Sequence, residues 1–285
     1  MKMKKFKLLA ILLLLSFGLT SCTAKTKYDT IDFKMTNVKY EKYYNVENEY
    51  KTLTFASLKP NKKDQYYIYD FKVKDSTKVI GSNSFVKISN YYSVELPESV
   101  FVISPYAFYN TPLKEINTEK IKYFQEYSFY CDSEDKETSK IWYGNHLPSL
   151  EIEYLDLSSA IVIEDNAFRL CTTKIKLSSS IKYIGDYAFA YSTISGEIYI
   201  PKTIEYIGKE AFSFQDGRHN TYVRFDGTLD EFLKLCPDSS WICRTEHSCS
   251  SKFINFTIVC NDKQVLVGDL YPDYLEFLNS KDSHL

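Results

Sequence analysis

The chain has 285 residues, of which 44% are hydrophobic, and its formal net charge at pH 7 is −2. That hydrophobic content is ordinary for a globular protein, and the lack of net positive charge argues against a nucleic-acid-binding protein, which needs a basic patch. Tyrosine is unusually frequent, with 25 residues against 19 phenylalanines. Because tyrosine combines apolar area with a polar tip, the excess suits a wet binding surface, although tyrosine is also a favoured strand residue.

The N-terminal segment 1–21 has the layout of a secretion signal. Lysines at positions 2, 4, 5 and 7 precede an apolar run from Leu8 to Leu15, which is too short to span a bilayer core. The segment leads into Leu-Thr-Ser-Cys at positions 19–22, and this ending resembles the lipobox of bacterial lipoproteins. The resemblance implies cleavage before Cys22, a lipid on its thiol, and attachment to the cell membrane at the cell surface. The alternatives are an ordinary signal with a chance cysteine and a short anchor helix.

Cleavage there would leave positions 22–285, enough for one large or two small domains, and would remove four lysines, which takes the net charge to −6. Export permits disulfides, but the spacing of the other six cysteines does not predict any particular pairing.

A cluster near the C-terminus could hold zinc, although its intervals are irregular and it lacks a Cys-x-x-Cys pair. Its members are Cys236, Cys243, His247, Cys249 and Cys260. In an exported protein, disulfides or free thiols are favoured over a metal for this cluster, and we expect no metal or cofactor.

A six-residue phrase recurs six times between positions 80 and 212. It begins with Ile or Phe, has Ala or Ser in fifth place and ends in Phe. The copies end at Phe85, Phe108, Phe129, Phe168, Phe189 and Phe212. The step from one end to the next is 21 or 23, except for a single step of 39 that contains an insertion at 132–149. Such a period indicates a solenoid, in which each coil packs only on its neighbours.

Short alternating apolar runs accompany the phrases, as in Leu-Asp-Leu at 155–157, Ile-Lys-Leu at 175–177 and Ile-Tyr-Ile at 198–200. Alternation at period two predicts a half-buried strand. Each coil should therefore contain a strand, a turn and a tight segment, and we expect the six phrase-ending phenylalanines to form one buried stack. Gly81, Gly185 and Gly208 occupy second place in three phrases, where glycine suits a strained turn, although Ser104, Gln125 and Glu164 fill that place elsewhere.

The phrase Ile-Gly-Asp-Tyr-Ala-Phe at 184–189, followed by Ile-Tyr-Ile-Pro at 198–201 and Ile-Glu-Tyr-Ile-Gly at 204–208, resembles the BspA-type leucine-rich repeat of bacterial surface proteins. The resemblance covers roughly positions 76–226. It implies an α+β repeat: a short leucine-rich-repeat solenoid of about six coils of strand plus turn or short helical segment. Around it we predict a signal peptide at 1–21, a tether and N-terminal β cap at 22–75, and a C-terminal cap at 227–285.

The sequence shows no Walker loop, dinucleotide glycine pattern, Gly-x-Ser-x-Gly elbow or zincin motif, so we predict that the chain is not an enzyme. The family resemblance implies an adhesion or interaction protein, whose partner is a protein or glycan on a host or neighbouring cell. The alternatives are a carbohydrate-binding accessory lipoprotein and a structural lipoprotein of envelope assembly. An aromatic stripe on one face would favour sugar binding, whereas a mixed charged and aromatic face would favour a protein partner.

A candidate binding face follows from the alternation, because residues between two inward strand positions point outward. The predicted binding residues are Tyr154, Asp156, Lys176, Tyr199, Tyr222 and Arg224. Tyr and Arg are enriched among the energetic anchors of protein interfaces, so the site is centred on Tyr199, Tyr222 and Arg224. A merely soluble charged face is the alternative. The 132–149 insertion is either functional or simply tolerated, and it is the next candidate for binding.

Overall fold

The computed structural model of the chain describes residues 27–30, 43–46, 51–53, 69–73, 75–85, 92–111, 113–131, 150–194, 197–213, 222–242 and 256–273. Residues 71–225 form a β-solenoid of about five turns with little helix. This architecture confirms the leucine-rich-repeat solenoid expected from the repeat. The signal segment, Cys22 and the 132–149 insertion lie outside the described residues.

The secondary structure is dominated by short strands. In chain order they are β1 (Lys27–Thr30), β2 (Tyr43–Val46), β3 (Lys51–Leu53), β4 (Tyr69–Lys72), β5 (Thr77–Ile80), β6 (Tyr92–Glu95), β7 (Val102–Ile103), β8 (Leu113–Ile116), β9 (Tyr123–Phe124), β10 (Leu150–Leu157), β11 (Val162–Ile163), β12 (Cys171–Leu177), β13 (Tyr183–Ile184), β14 (Thr193–Ile194), β15 (Glu197–Ile200), β16 (Tyr206–Ile207), β17 (Tyr222–Phe225), β18 (Thr257–Val259) and β19 (Gln264–Leu266). The helices are α1 (Leu229–Leu235), a 3-10 turn at Ser239–Trp241, and α2 (Val267–Leu270).

The strands form two long sides of the solenoid. One side is a seven-stranded parallel sheet in the order β16-β13-β11-β9-β7-β5-β3. The other side, here called the strand face, consists of three successive sheets with the orders β4-β6-β8, β10-β12-β14 and β15-β17-β18-β19. Pairing is parallel throughout this side except between β18 and β19. Each turn of the chain therefore adds one strand to each side.

The core lies between the two sides and contains the predicted phenylalanine stack. All six phrase-ending phenylalanines are fully buried. Successive rings lie 4.7–5.4 Å apart and within 17° of parallel, which confirms the stack. Phe71 contacts the first ring edge-on at 5.7 Å, and Trp241 contacts the last at 6.1 Å. Aromatic side chains thus cover both ends of a stack whose end faces would otherwise meet water.

A backbone ladder runs beside the stack. The amide of Phe168 donates to the carbonyl of Ala188 at 2.8 Å, and the amide of Phe189 donates to that of Ala211 at the same distance. At the C-terminal end the amide of Phe212 donates to the carbonyl of Trp241 at 3.0 Å. From the second phrase onward, the carbonyl of the small fifth residue therefore accepts from the phenylalanine of the coil before it, and the C-terminal segment completes the ladder.

The strained position of the phrase is the fourth, not the second. Its six residues all have a left-handed backbone, with φ of 49–59°; they are Asn83, Tyr106, Tyr127, Asn166, Tyr187 and Glu210. The expectation that the second-place glycines relieve a strained turn is therefore wrong. A Cβ on Gly185 would overlap the backbone of Asp165, and one on Gly208 would overlap that of Asp186. These glycines are needed for the close approach of neighbouring coils.

Candidate functional site

The strand face carries the six predicted binding residues. Tyr154 and Asp156 lie on β10, where they face Lys174 and Lys176 of β12 across the parallel ladder. On the next sheet Tyr199 of β15 faces Arg224 of β17, and Glu197 faces Tyr222. The exposed fractions are 46% for Tyr154 and 38% for Tyr222, while Ile198 and Val223 between the outward residues are fully buried. The alternation therefore places these residues outward, as predicted, but in two groups rather than one continuous row.

The second group is organised around one carboxylate. The Tyr222 hydroxyl donates to Glu197 Oε2 at 2.8 Å, and Arg224 Nη1 lies 4.0 Å from Glu197 Oε1. The hydrogen bond to Glu197 raises the pKa of the Tyr222 hydroxyl. Burial, followed by a hydrogen bond to Asp226, raises the pKa of Tyr199. Both phenols therefore stay protonated at neutral pH and keep a hydroxyl that can donate or accept.

A groove separates the two groups. It has a volume of about 490 Å³ and lies between β12 and β15, with Lys176 on one wall and Glu197 and Tyr199 on the other. Among the described residues, β14 pairs with β12 only at Thr172 and Thr173, which leaves the C-terminal half of β12 without a ladder to the described part of the following coil. The floor of the groove includes Ile175, Leu177 and Ile198. The strand face thus combines an apolar-floored groove with charged and phenolic rims.

A second surface, which the strand alternation does not reveal, lies along the phrase turns. We call it the tyrosine–arginine ladder; it consists of Tyr106, Tyr109, Tyr127, Tyr130, Arg169, Tyr187 and Tyr191. Tyr106 and Tyr127 occupy fourth place in successive phrases, and their rings stack at 5.0 Å and 4°. Tyr109 and Tyr130, each directly after a core phenylalanine, contact these rings edge-on at 5.5 and 5.4 Å.

Arg169 continues the ladder across the long step of the repeat. Its guanidinium carbon lies 5.5, 5.7 and 4.9 Å from the ring centroids of Tyr130, Tyr187 and Tyr191. Its Nη1 donates to Asn166 Oδ1 at 3.2 Å, whereas its buried Nε makes no hydrogen bond within the described part of the chain. The signal for this surface was present in the sequence, because tyrosine recurs in fourth place of the phrase and again after Phe108 and Phe129.

A model of the family described as BspA type leucine rich repeat region matches six copies, over residues 63–141 and 136–224, which is more than half of the chain. The chain belongs to the BspA-type leucine-rich repeat family. Comparison with curated proteins and with solved structures gave no match. In this BspA-type solenoid the two surfaces described above occupy different parts of the coils, one on the long strands and one on the phrase turns.

The cysteines that the structure describes in the BspA-type repeats and in the C-terminal region are buried thiols outside any disulfide; they are Cys131, Cys171, Cys236 and Cys260. Burial raises the pKa of Cys171 well above its ordinary value and that of Cys260 to about 11. Cys171 Sγ donates to the carbonyl of Phe129 at 3.5 Å, as a thiol packed in the core can. The rest of the C-terminal cluster, Cys243, His247 and Cys249, lies outside the described residues.

Within the described ranges, no three histidines, cysteines or acids are grouped as a metal site would require. Over the same ranges, no helix combines the length and the apolar character needed to cross a membrane. Cys22 is not among these residues, so its lipid attachment stays a prediction.

Proposed function

We propose that the protein is an exported, lipid-anchored protein of the cell surface that binds a protein partner through the strand face of its repeats. The observation that carries the proposal is the group around Glu197, where Tyr199, Tyr222 and Arg224 present phenols and a cation beside the groove. Membership of the BspA-type family supports a protein-interaction role, and such a solenoid is typically a non-catalytic binding scaffold.

The composition of the strand face favours a protein over a sugar. Sugar binding would favour an unbroken aromatic stripe, whereas here Tyr154 has Lys174 beside it and Tyr222 has Glu197 beside it. Both charge signs lie close to the groove, as Asp156 opposite Lys176 illustrates. Alternating charge fixes the register of a protein partner through complementary potentials. The groove floor adds apolar area that becomes buried when a side chain enters it.

Export and anchoring rest on the segment from Met1 to Cys22. The basic start, the apolar run and the Leu-Thr-Ser-Cys ending occur in the order that secretion and lipidation need. A lipid on Cys22 would hold the repeats close to the membrane, while the chain from position 23 onward carries them outward. The partner then belongs to the cell envelope, to a neighbouring cell or to a host surface.

The test is a binding experiment with the full chain, purified in detergent and immobilised by a C-terminal tag. Solubilised surface proteins from intact neighbouring and host cells are passed over it, and a glycan array is probed in parallel. The proposal predicts that a surface protein is retained, binds again after purification, and that no glycan is bound. A bound glycan without any bound protein would favour the carbohydrate-binding alternative, and retention of neither would contradict the proposed function.

A further inference from the structure

Four of the six tyrosines of the ladder, Tyr106, Tyr127, Tyr187 and Tyr191, have a left-handed backbone that does not favour them. Tyr106, Tyr127 and Tyr187 have φ of 57–58°, a left-handed conformation that asparagine tolerates and larger side chains resist. Asn83 and Asn166 fill the same place in two other phrases, which shows that the turn itself does not need an aromatic ring. The rings also lie outside the phenylalanine stack, so the core does not require them either. A strained position occupied in this way points to a role on the surface.

The geometry of the rings limits what can bind them. Tyr106 and Tyr127 cover one face of each other, and Tyr109 and Tyr130 lie against them edge-on. The guanidinium of Arg169 lies over Tyr130 and Tyr191. A sugar that stacks on tyrosine needs an open ring face, and here Tyr106 and Tyr127 each have one face against the other. Such a surface presents ring edges and polar tips, which suit the side chains of a protein.

Arg169 supplies positive charge in this surface together with Lys209, whose Nζ lies 5.7 Å from the ring centroid of Tyr187, while the acid nearest the other end is Glu126, beside Tyr127. A guanidinium has five N–H donors, and the structure gives Arg169 one hydrogen bond, to Asn166, while its Nε is buried without a partner among the described residues. Within those residues Arg169 forms no salt bridge. A cation held between aromatic rings and unpaired with an acid is complementary to an incoming carboxylate, which guanidinium groups bind in a bidentate manner.

We infer that the tyrosine–arginine ladder is a second docking surface, which takes an extended acidic segment of a protein partner. A carboxylate of that segment pairs with Arg169, and an adjoining apolar or aromatic side chain packs on the edges of Tyr127 and Tyr130. The inference deepens the proposed function and rests on it, because it assigns a chemistry to one contact of a protein-binding solenoid. It concerns the phrase turns, whereas the proposed function concerns the strand face.

The test uses a phage-displayed library of random dodecapeptides, selected on the immobilised full chain in detergent. We expect enriched peptides that carry Asp or Glu beside an aromatic or aliphatic residue. The affinity of one such synthetic peptide should fall by about tenfold or more in Arg169→Gln. Arg169→Lys, which keeps the charge but loses the planar fork, should give a smaller loss. Thermal unfolding checks that both variants are folded.

Lys202→Gln is the control, because it removes one positive charge from an exposed turn residue that lies in neither proposed binding surface. Its affinity for the selected peptide should equal that of the wild type. Undiminished binding of the peptide to Arg169→Gln, an equal loss of binding in Lys202→Gln, or the absence of any acidic consensus would each overturn the inference. So would a glycan or a second copy of the chain whose binding depends on Arg169. None of these outcomes decides whether the strand face binds a surface protein, because that proposal is tested by the separate retention experiment.

Discussion

The ring of Phe189 lies 5.3 Å from that of Phe168 and within 6° of parallel, although the two residues are one coil apart in the chain. This pair is one step of a stack in which every coil buries the same side chain in the same place. Stability of the whole array should therefore depend on each step. The outward residues of the same coils can serve binding, because the core does not use them.

Replacing Phe189 by Ala should lower the free energy of unfolding by about 3–5 kcal/mol, since a buried ring is removed and a cavity remains. Tyr187→Asn is the matched control two positions away. It should change the stability far less, because the Tyr187 ring lies outside the core and asparagine tolerates the left-handed backbone. Urea denaturation followed by circular dichroism measures both. Equal and small changes in the free energy of unfolding of the two variants would mean that the phenylalanine stack does not stabilise the fold.

Gly185→Ala should destabilise the protein by about 1–3 kcal/mol, the usual range for overpacking. The new Cβ would overlap the backbone of Asp165 in the neighbouring coil, and that backbone cannot move aside easily. Gln125→Ala tests the same place of another phrase, where a side chain is already accommodated, and should have little effect. The same denaturation experiment compares the two. A neutral Gly185→Ala would show that the coils are less closely packed than described.

The buried thiols should resist modification. Because burial raises the pKa of Cys171 and Cys236, little thiolate is present at pH 8, and the thiolate is the reactive form. Iodoacetamide labelling of the native protein, read out by mass spectrometry of the peptides, should leave both residues unmodified. The unfolded protein in urea should react at both. Rapid labelling of Cys171 in the native state would contradict its assignment to the core.

Cys22→Ser should abolish incorporation of a radioactive fatty acid and release the protein from the membrane fraction. The reason is that the serine has no thiol to receive the lipid and that the apolar run before it is too short to span a bilayer. Ser21→Ala keeps a small residue before the cysteine and should still be labelled. Unchanged labelling of Cys22→Ser would exclude this residue as the attachment site.

Much of the fold could be predicted because the same few positions of the repeat determine the structure of every coil. The regular steps of the repeat fix the neighbours of Phe168 and Phe189, and alternation alone places Ile198 inward and Tyr199 outward. The left-handed fourth place escaped prediction, because tyrosine gives no hint of it and only Asn83 and Asn166 do. The glycine in second place was predicted to relieve a strained turn. Its role depends instead on the short distance between neighbouring coils, which the sequence does not show.

The surface was less predictable than the core. The groove beside Lys176 depends on where β14 stops pairing with β12, and no periodicity encodes that. The contact of Arg169 with Tyr130 joins residues on either side of the insertion, so their distance along the chain gives no indication of it. The tyrosines of the phrase were visible as a recurring residue type, but their stacking becomes apparent only once the coils are placed one above another.

The central claim, that the strand face binds a protein partner, is tested most directly by the dissociation constant of the retained surface protein. The triple variant Tyr199→Ala, Tyr222→Ala and Arg224→Ala is compared with a control triple, Glu98→Ala, Lys120→Ala and Lys202→Ala, whose residues are exposed in turns. With folding checked by circular dichroism, we predict that the first variant weakens binding by about tenfold or more and that the control does not. Undiminished affinity in the folded strand-face variant would contradict the claim and place the site elsewhere on the chain.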